Sequence, residues 1–111
     1  MTVEEITLAN FRENVLGHKG LVVVDFWADW CASCRGVGKT IDKLAKEYSW
    51  MVKFYKADIG KNPSLGTDNK IMHLPSVLFF YDGTELERTR LIGSNGYEDY
   101  QKIIDLLICK N

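Results

Sequence analysis

Two rhythms of hydrophobic and polar residues run along this chain, and the switches between them mark its elements. Leu21-Val22-Val23-Val24-Asp25-Phe26-Trp27 is apolar and β-branched almost throughout, the composition of a strand buried on both faces in the middle of a sheet. Val52, Phe54 and Lys56 alternate with Lys53, Tyr55 and Ala57, a further strand that ends near Asp58. Val77 to Tyr81, the turn pair Asp82-Gly83 and Glu85 to Ile92 form a hairpin, because Asp-Gly accepts the backbone conformation that a tight connection between strands requires. Helical spacing fills the intervals. Asn10, with Glu13 three positions later, reads as an N-cap for an apolar stripe of Phe11, Val15 and Leu16 that stops at Gly17, a short helix over about 8–17. Val37, Ile41, Leu44, Ala45 and Tyr48 recur with Lys39, Asp42, Lys43, Lys46 and Glu47 between them, a helix that starts at Cys31. Asn62-Pro63 offers a cap and a first-turn proline for a helix to about Lys70. From Tyr97 to Cys109, the side carrying Tyr100, Ile103, Ile104, Leu107 and Ile108 opposes Glu98, Lys102 and Asp105 as in an amphipathic closing helix.

With a weak strand at the start, the order is β followed by αβαβαββα. Parallel βαβ units that end in an antiparallel hairpin imply a mixed sheet with helices on both faces. The predicted fold class is therefore α/β: a three-layer α/β/α arrangement with a central mixed five-stranded sheet flanked by four helices. At 111 residues the chain suits one domain, residues 1–111, with no repeat, linker or low-complexity tract.

Charge narrows the function. Fourteen Lys and Arg against fifteen Asp and Glu leave a net charge of -1, so there is no footprint for nucleic acid or an acidic membrane surface. Met1-Thr2-Val3-Glu4-Glu5 is acidic and lacks the basic and apolar regions of a secretory signal, and the apolar runs are too short to span a bilayer. The expectation is a cytoplasmic protein, neither exported nor membrane-spanning. Three cysteines are too few for a stapled secreted scaffold, which directs attention to the close pair.

That pair is Trp30-Cys31-Ala32-Ser33-Cys34, just past the buried strand and just before an amphipathic helix. A helix N-terminus with unpaired N–H groups favours a thiolate at Cys31, and the thiolate is the nucleophile. Cys34, one turn inside, should be more buried and less acidic. Two intervening residues let the sulfurs meet in a small disulfide ring. The same spacing is half of a zinc site, but Cys109, His18 and His73 belong to separate segments without a second close pair, so no metal is expected. Cys109 reads as a bystander thiol on the polar side of the last helix, the two histidines as loop residues, and Trp27 as packing.

Three stretches, Val24-Asp25-Phe26-Trp27-Ala28-Asp29-Trp30-Cys31, Leu74-Pro75-Ser76 and Ile92-Gly93-Ser94, resemble in turn the strand-and-active-site run, the cis-proline loop and the glycine loop of the thioredoxin family. The resemblance covers nearly the whole chain. It implies a protein-disulfide reductase in which Cys31 attacks a target disulfide and Cys34 resolves the mixed disulfide. It also makes Asp25 the third chemical residue. A carboxylate at the inner end of a buried strand is costly unless paired, and desolvation raises its pKa toward that of a general base for the Cys34 proton. Lys56 falls where the family has a lysine near this aspartate. Trp30, Leu74, Pro75, Gly93 and Ser94 would form a flat, mostly apolar docking surface for extended polypeptides. Implied partners are disulfide-containing target proteins and a thioredoxin reductase, with the chain a monomer and no cofactor beyond the Cys31-Cys34 disulfide.

Two departures bear on the chemistry. Ala32-Ser33 stands where most of the family has Gly-Pro, which removes a φ constraint and leaves a backbone N–H and a hydroxyl, modulators of redox poise. Lys39 replaces a kinking proline, after Gly36 and Gly38. A non-catalytic binding module or subunit on the same fold is the alternative function. An oxidase or isomerase is disfavoured by the missing export signal.

Overall fold

The computed structural model describes residues 3–109, so the ends of the expected 1–111 unit lie outside the described residues. The elements follow the order β1 Val3–Ile6, α1 Leu8–Phe11, β2 Leu21–Trp27, α2 Cys34–Tyr48, β3 Lys53–Asp58, α3 Pro63–Asp68, β4 Ser76–Tyr81, β5 Thr84–Glu85, β6 Leu91–Ile92 and α4 Tyr97–Ile108. Strands run β1-β3-β2-β4-β5 across the sheet, with β6 also paired to β4. β1, β3 and β2 are mutually parallel neighbours, while β4 is antiparallel to β2, β5 and β6. The expected mixed sheet is present, with β2, apolar except for Asp25, at its centre.

Because successive side chains of a strand point to opposite faces, β2 feeds two cores. Leu21 and Val23 pack with Val37, Ile41 and Leu44 of α2 and with Tyr100, Ile104 and Leu107 of α4. Val22, Val24 and Phe26 pack instead with Phe11, Val15 and Leu65 on the other face. This is the α/β/α layering that the periodicities required. Odd-numbered positions of β2 face α2, so Asp25 takes the next place after Val23 in the first core. Its sheet neighbours there are Lys56 of β3 and Val77 of β4.

Several details differ from the sequence expectation. The first helix begins at Leu8 as expected, but its N-cap is Thr7 and not Asn10, which lies inside the first turn and accepts a hydrogen bond from the Thr7 N–H at 2.8 Å. The same helix widens into a π-turn over Arg12–Leu16, closed by the Gly17 N–H to the Arg12 carbonyl at 2.8 Å. α3 stops at Asp68, short of Lys70, which takes a positive φ of 55°. The expected strand from Glu85 to Ile92 is broken into β5 and β6 by a 3₁₀ turn over Glu87–Thr89. There the Thr89 hydroxyl donates to the Leu86 carbonyl at 2.6 Å, a local bond that competes with the ladder. Finally α4 ends at Ile108, so the exposed Cys109 follows the helix rather than lying on its polar side.

The hairpin turn is as the sequence specified. Asp82 and Gly83 have φ values of 51° and 84°, both in the left-handed region. Gly83 has a second reason to lack a side chain, since a Cβ there would lie 2.1 Å from the Leu16 carbonyl oxygen.

Candidate functional site

β2 ends at Trp27, and the chain then turns through Ala28–Trp30 before reaching the cysteine pair. Cys31 and Cys34 are joined by a disulfide with a Cα–Cα distance of 5.4 Å. The helix begins at Cys34 and not at Cys31, which corrects the sequence expectation. Cys31, Ala32 and Ser33 form a separate turn before it. The Cys31 N–H donates to Ala28 O at 3.1 Å and the Cys34 N–H to Cys31 O at 3.2 Å. Cys31 therefore stands just ahead of the positive end of a fifteen-residue helix. Ser33 occupies the N-cap position, but its hydroxyl does not cap the helix; it lies 3.6 Å from the Cys31 sulfur, within reach of a hydrogen bond to sulfur.

The two sulfurs face different surroundings. Cys34 is buried, 4 % exposed, whereas Cys31 is half-buried. A cleft of about 330 Å³ opens beside the disulfide between the ends of the parallel strands and α2, and Asp25, Cys34, Lys56, Arg35, Lys39 and Asp42 line it. On the other side of Cys31 lies an open groove of about 700 Å³ walled by Trp30, Ile59, Ile71, Met72 and Leu74. Cys31 borders both spaces; Cys34 borders the cleft alone.

Asp25 is 4 % exposed, and its Oδ1 has no hydrogen-bond partner among the described residues. Burial pushes its carboxyl up to about 7; the negative charge of Asp42 adds to the rise, and the Lys56 ammonium opposes it. Lys56 is Asp25's register partner on β3, the position inferred from the family resemblance, but no ion pair joins the two. In the sequence Asp42 is only one member of a polar helix face. Its position two turns along α2 from Cys34 sets it at the cleft, a placement that only the docking of α2 on the sheet reveals.

Of the expected docking residues, Trp30 and Leu74 wall the groove, while Pro75, Gly93 and Ser94 are not among its lining residues. Trp30 is 72 % exposed. The Leu74-Pro75 peptide is cis, as the resemblance implied, and the Gly93 N–H donates to the Pro75 carbonyl at 2.8 Å. Gly93 has a φ of 86°, and a Cβ there would meet nothing within 4 Å, so the backbone around it is open. Ser94 lies next to Gly93 and is exposed. Ala32 is exposed beside Cys31. The sequence does not point to Ile59, Ile71 and Met72, which line the groove with further apolar surface; His73, expected as a loop residue, borders it.

Arg90 also escapes a reading of the sequence, and it fixes one wall. Its guanidinium pairs with Glu85 at 2.5 Å and donates to the carbonyls of Asn69 and Lys70 at 2.6 and 3.1 Å, tying the broken hairpin strand to the loop that carries Ile71 to Leu74. Arg90→Ala is expected to destabilise the protein by about 1–2 kcal/mol, since it removes charge-assisted bonds from a partly exposed site. Urea unfolding will show this as a lower midpoint at unchanged slope; an unchanged midpoint would discount the clamp. Among the described residues, no three His, Cys, Asp or Glu side chains gather as a metal-binding group.

The sequence profile of the family described as Thioredoxin matches residues 2–106. The chain is 30% identical over 105 residues to Thioredoxin of Staphylococcus haemolyticus, which covers 95% of this chain and 97% of that one. It is 38% identical over 82 residues to Thioredoxin 1 of Synechococcus elongatus, covering 74% and 77% of the two chains. A third relative, the chloroplastic M-type thioredoxin of Pisum sativum, is 41% identical over 81 residues, which are 73% of this chain and 47% of the pea protein.

Proposed function

The chain belongs to the thioredoxin family and is a thiol-disulfide oxidoreductase, and on that premise we propose how its residues divide the work and which partners they serve. Cys31 is the attacking sulfur. As a thiolate it displaces one sulfur of a target protein's disulfide, forming a Cys31–target disulfide while the departing target sulfur leaves as a thiolate. Cys34 then loses its proton to Asp25 and attacks Cys31. The mixed disulfide breaks, the second target thiolate is released, and the chain is left with the Cys31–Cys34 disulfide. Two electrons have passed to the target, and a thioredoxin reductase returns them.

The observation that supports this division is the two-sided position of Cys31. It borders the open groove where a polypeptide can lie and also the cleft that holds Cys34 and Asp25, while Cys34 has access only to the cleft. The general base needs a pKa near the working pH, and burial brings Asp25 to about 7. Trp30, Leu74, Pro75 and Gly93 contact the target, whose backbone lies extended across the cis-proline loop; Lys56, Ala32 and Ser33 modulate the reaction. The groove's open form and apolar walls suit disulfide-containing proteins.

The chain works in a reducing compartment, the cytoplasm, a reading consistent with the free, exposed thiol of Cys109. No helix among the described residues is long and apolar enough to cross a membrane. The protein acts as a monomer, a reading supported by the spread of its exposed apolar residues outside the groove: Leu8 and Leu16 on the first helix, Trp50 and Met51 after α2, Ile92 on β6 and Leu106 on α4.

The test is capture. Cys34→Ser leaves the attacker and removes the resolver, so mixed disulfides between Cys31 and target proteins will accumulate in cell extract and dissolve on adding dithiothreitol. Cys31→Ser, run in parallel, will capture nothing. Equal capture by both variants, or none by either, would overturn the assignment.

A further inference from the structure

Gly60 lies in the loop after β3, and its φ is outside the left-handed region, so the backbone conformation does not call for glycine. What the position lacks is space. A Cβ built there would lie 3.0 Å from Cζ3 and 3.4 Å from Cη2 of Trp30, and 3.1 Å from Oδ1 of Asp58. The six-membered ring of the indole thus rests directly on the bare backbone of residue 60.

The loop that offers this seat is held firmly. Asp58, 2 % exposed at the end of β3, accepts hydrogen bonds through Oδ1 from the N–H groups of Gly60 at 2.9 Å and Lys61 at 3.2 Å. Its carbonyl accepts from the Asn62 N–H at 2.9 Å and the Asn62 side-chain amide at 3.2 Å. The Ile59 N–H donates to the Trp27 carbonyl at 3.0 Å, which ties the loop to the end of β2, three residues before Trp30. Trp30, by contrast, is mostly exposed and its side chain makes no hydrogen bond among the described residues. Its ring walls the groove beside Cys31, and the contact with Gly60 fixes where that wall stands.

We infer that Gly60 is a positioning residue for target docking: its bare backbone, braced by Asp58, seats the Trp30 indole and so sets the shape of the groove beside Cys31. The inference rests on the reading of the groove as the docking site for target proteins. A methyl group at residue 60 meets both the ring and Oδ1 of Asp58; Oδ1 is held by the N–H groups of Gly60 and Lys61, so the exposed ring is the neighbour that gives, by a few tenths of an ångström. A displaced Trp30 weakens the fit of a polypeptide and leaves the thiols and Asp25 as they were.

Gly60→Ala will be examined in two ways. In ¹H–¹⁵N spectra of the oxidised protein, the Trp30 indole cross-peak is expected to move while those of Trp27 and Trp50 stay in place. In reduction of a protein disulfide, KM is expected to rise about fivefold with kcat within about twofold. Trp30→Ala should raise KM to a similar degree, and adding Gly60→Ala to it should change nothing more. An unmoved Trp30 cross-peak, or an equal further rise in KM in the Trp30→Ala background, overturns the seat. If the cross-peak moves but the native chain does not turn over protein disulfides at all, the docking reading has failed and the seat stands only as packing, which overturns its proposed role. Should Gly60→Ala fail to fold, the double variant decides: recovery of the fold once the indole is gone supports the seat, and continued failure overturns it.

Discussion

Asp25→Asn is expected to make the oxidised protein markedly more stable above neutral pH and markedly slower as a reductant. Burial raises the Asp25 carboxyl from 3.8 to about 7 in the folded chain. Between those two values the folded state keeps a proton that the unfolded chain has released. The folded state is thus favoured at low pH, and that advantage drains away as pH rises through about 7. Each tenfold gain in proton affinity is worth about 1.36 kcal/mol, so the whole rise amounts to on the order of 4 kcal/mol. Asparagine stays neutral at every pH, like the protonated acid, so the variant escapes the loss. The stability gap should be small at pH 4, open through pH 5 to 7, and be fully present at pH 8. Urea unfolding across this range measures it, with the disulfide intact so that neither active-site thiol titrates. The same substitution removes the proton acceptor for Cys34, and a general base contributes about a hundredfold or more to such a step. Rapid-mixing measurements should find target reduction slowed to that extent near pH 7 in the variant, without the rise in rate that ionisation of Asp25 produces in the native chain. Parallel pH profiles for the two proteins, in stability and in rate, would refute the role.

The sequence marks Asp25 out, but it does not reveal the residue's environment. An acid inside the run Leu21 to Trp27 is out of place in a doubly buried strand, and a local violation of that kind signals function. The spacing to Cys31, the Asp82-Gly83 turn and the periodicities of α2 and α4 are likewise local, and the fold class and the sulfur pair followed from them. What could not be read depends on contacts between distant segments. Asp42 looks like any solvated helix residue until α2 docks and sets it beside the cleft. Arg90 looks like one of several surface charges until it reaches the carbonyls of Asn69 and Lys70. Gly60 resembles any loop glycine, since its reason lies in the Trp30 ring thirty residues earlier. The start of α2 is displaced for a related reason. Cys31, Ala32 and Ser33 have no apolar periodicity of their own, and the bonds from Cys31 to Ala28 and from Cys34 to Cys31 make a turn there instead of helix.

The displaced helix start bears directly on redox poise, because it leaves Ser33 as the nearest hydroxyl to the attacking sulfur. Ser33→Ala and Ser33→Pro are both expected to make the protein a stronger reductant. In the reduced protein the Ser33 hydroxyl, 3.6 Å from the Cys31 sulfur in the disulfide form, can donate to the thiolate. A bond to an ionised acceptor is stronger than one to a neutral disulfide sulfur, so the hydroxyl favours the dithiol state and raises the reduction potential. Ser33 is exposed, which places its contribution at the low end for bonds to charged groups, about 1.5 kcal/mol. For a two-electron couple that energy corresponds to roughly 30 mV, so both variants should shift by about that amount to more negative values. Proline fits the φ of -70° at this position, and it removes the N–H as well as the hydroxyl. Comparing the two variants separates these groups: equal shifts assign the effect to the hydroxyl, and a larger shift for proline adds the backbone donor. Equilibration with a glutathione or dithiothreitol buffer of known poise measures both. A potential that stays constant or becomes less negative in Ser33→Ala would remove the hydroxyl from the account, leaving the position of Cys31 ahead of α2 as the remaining source of thiolate stabilisation.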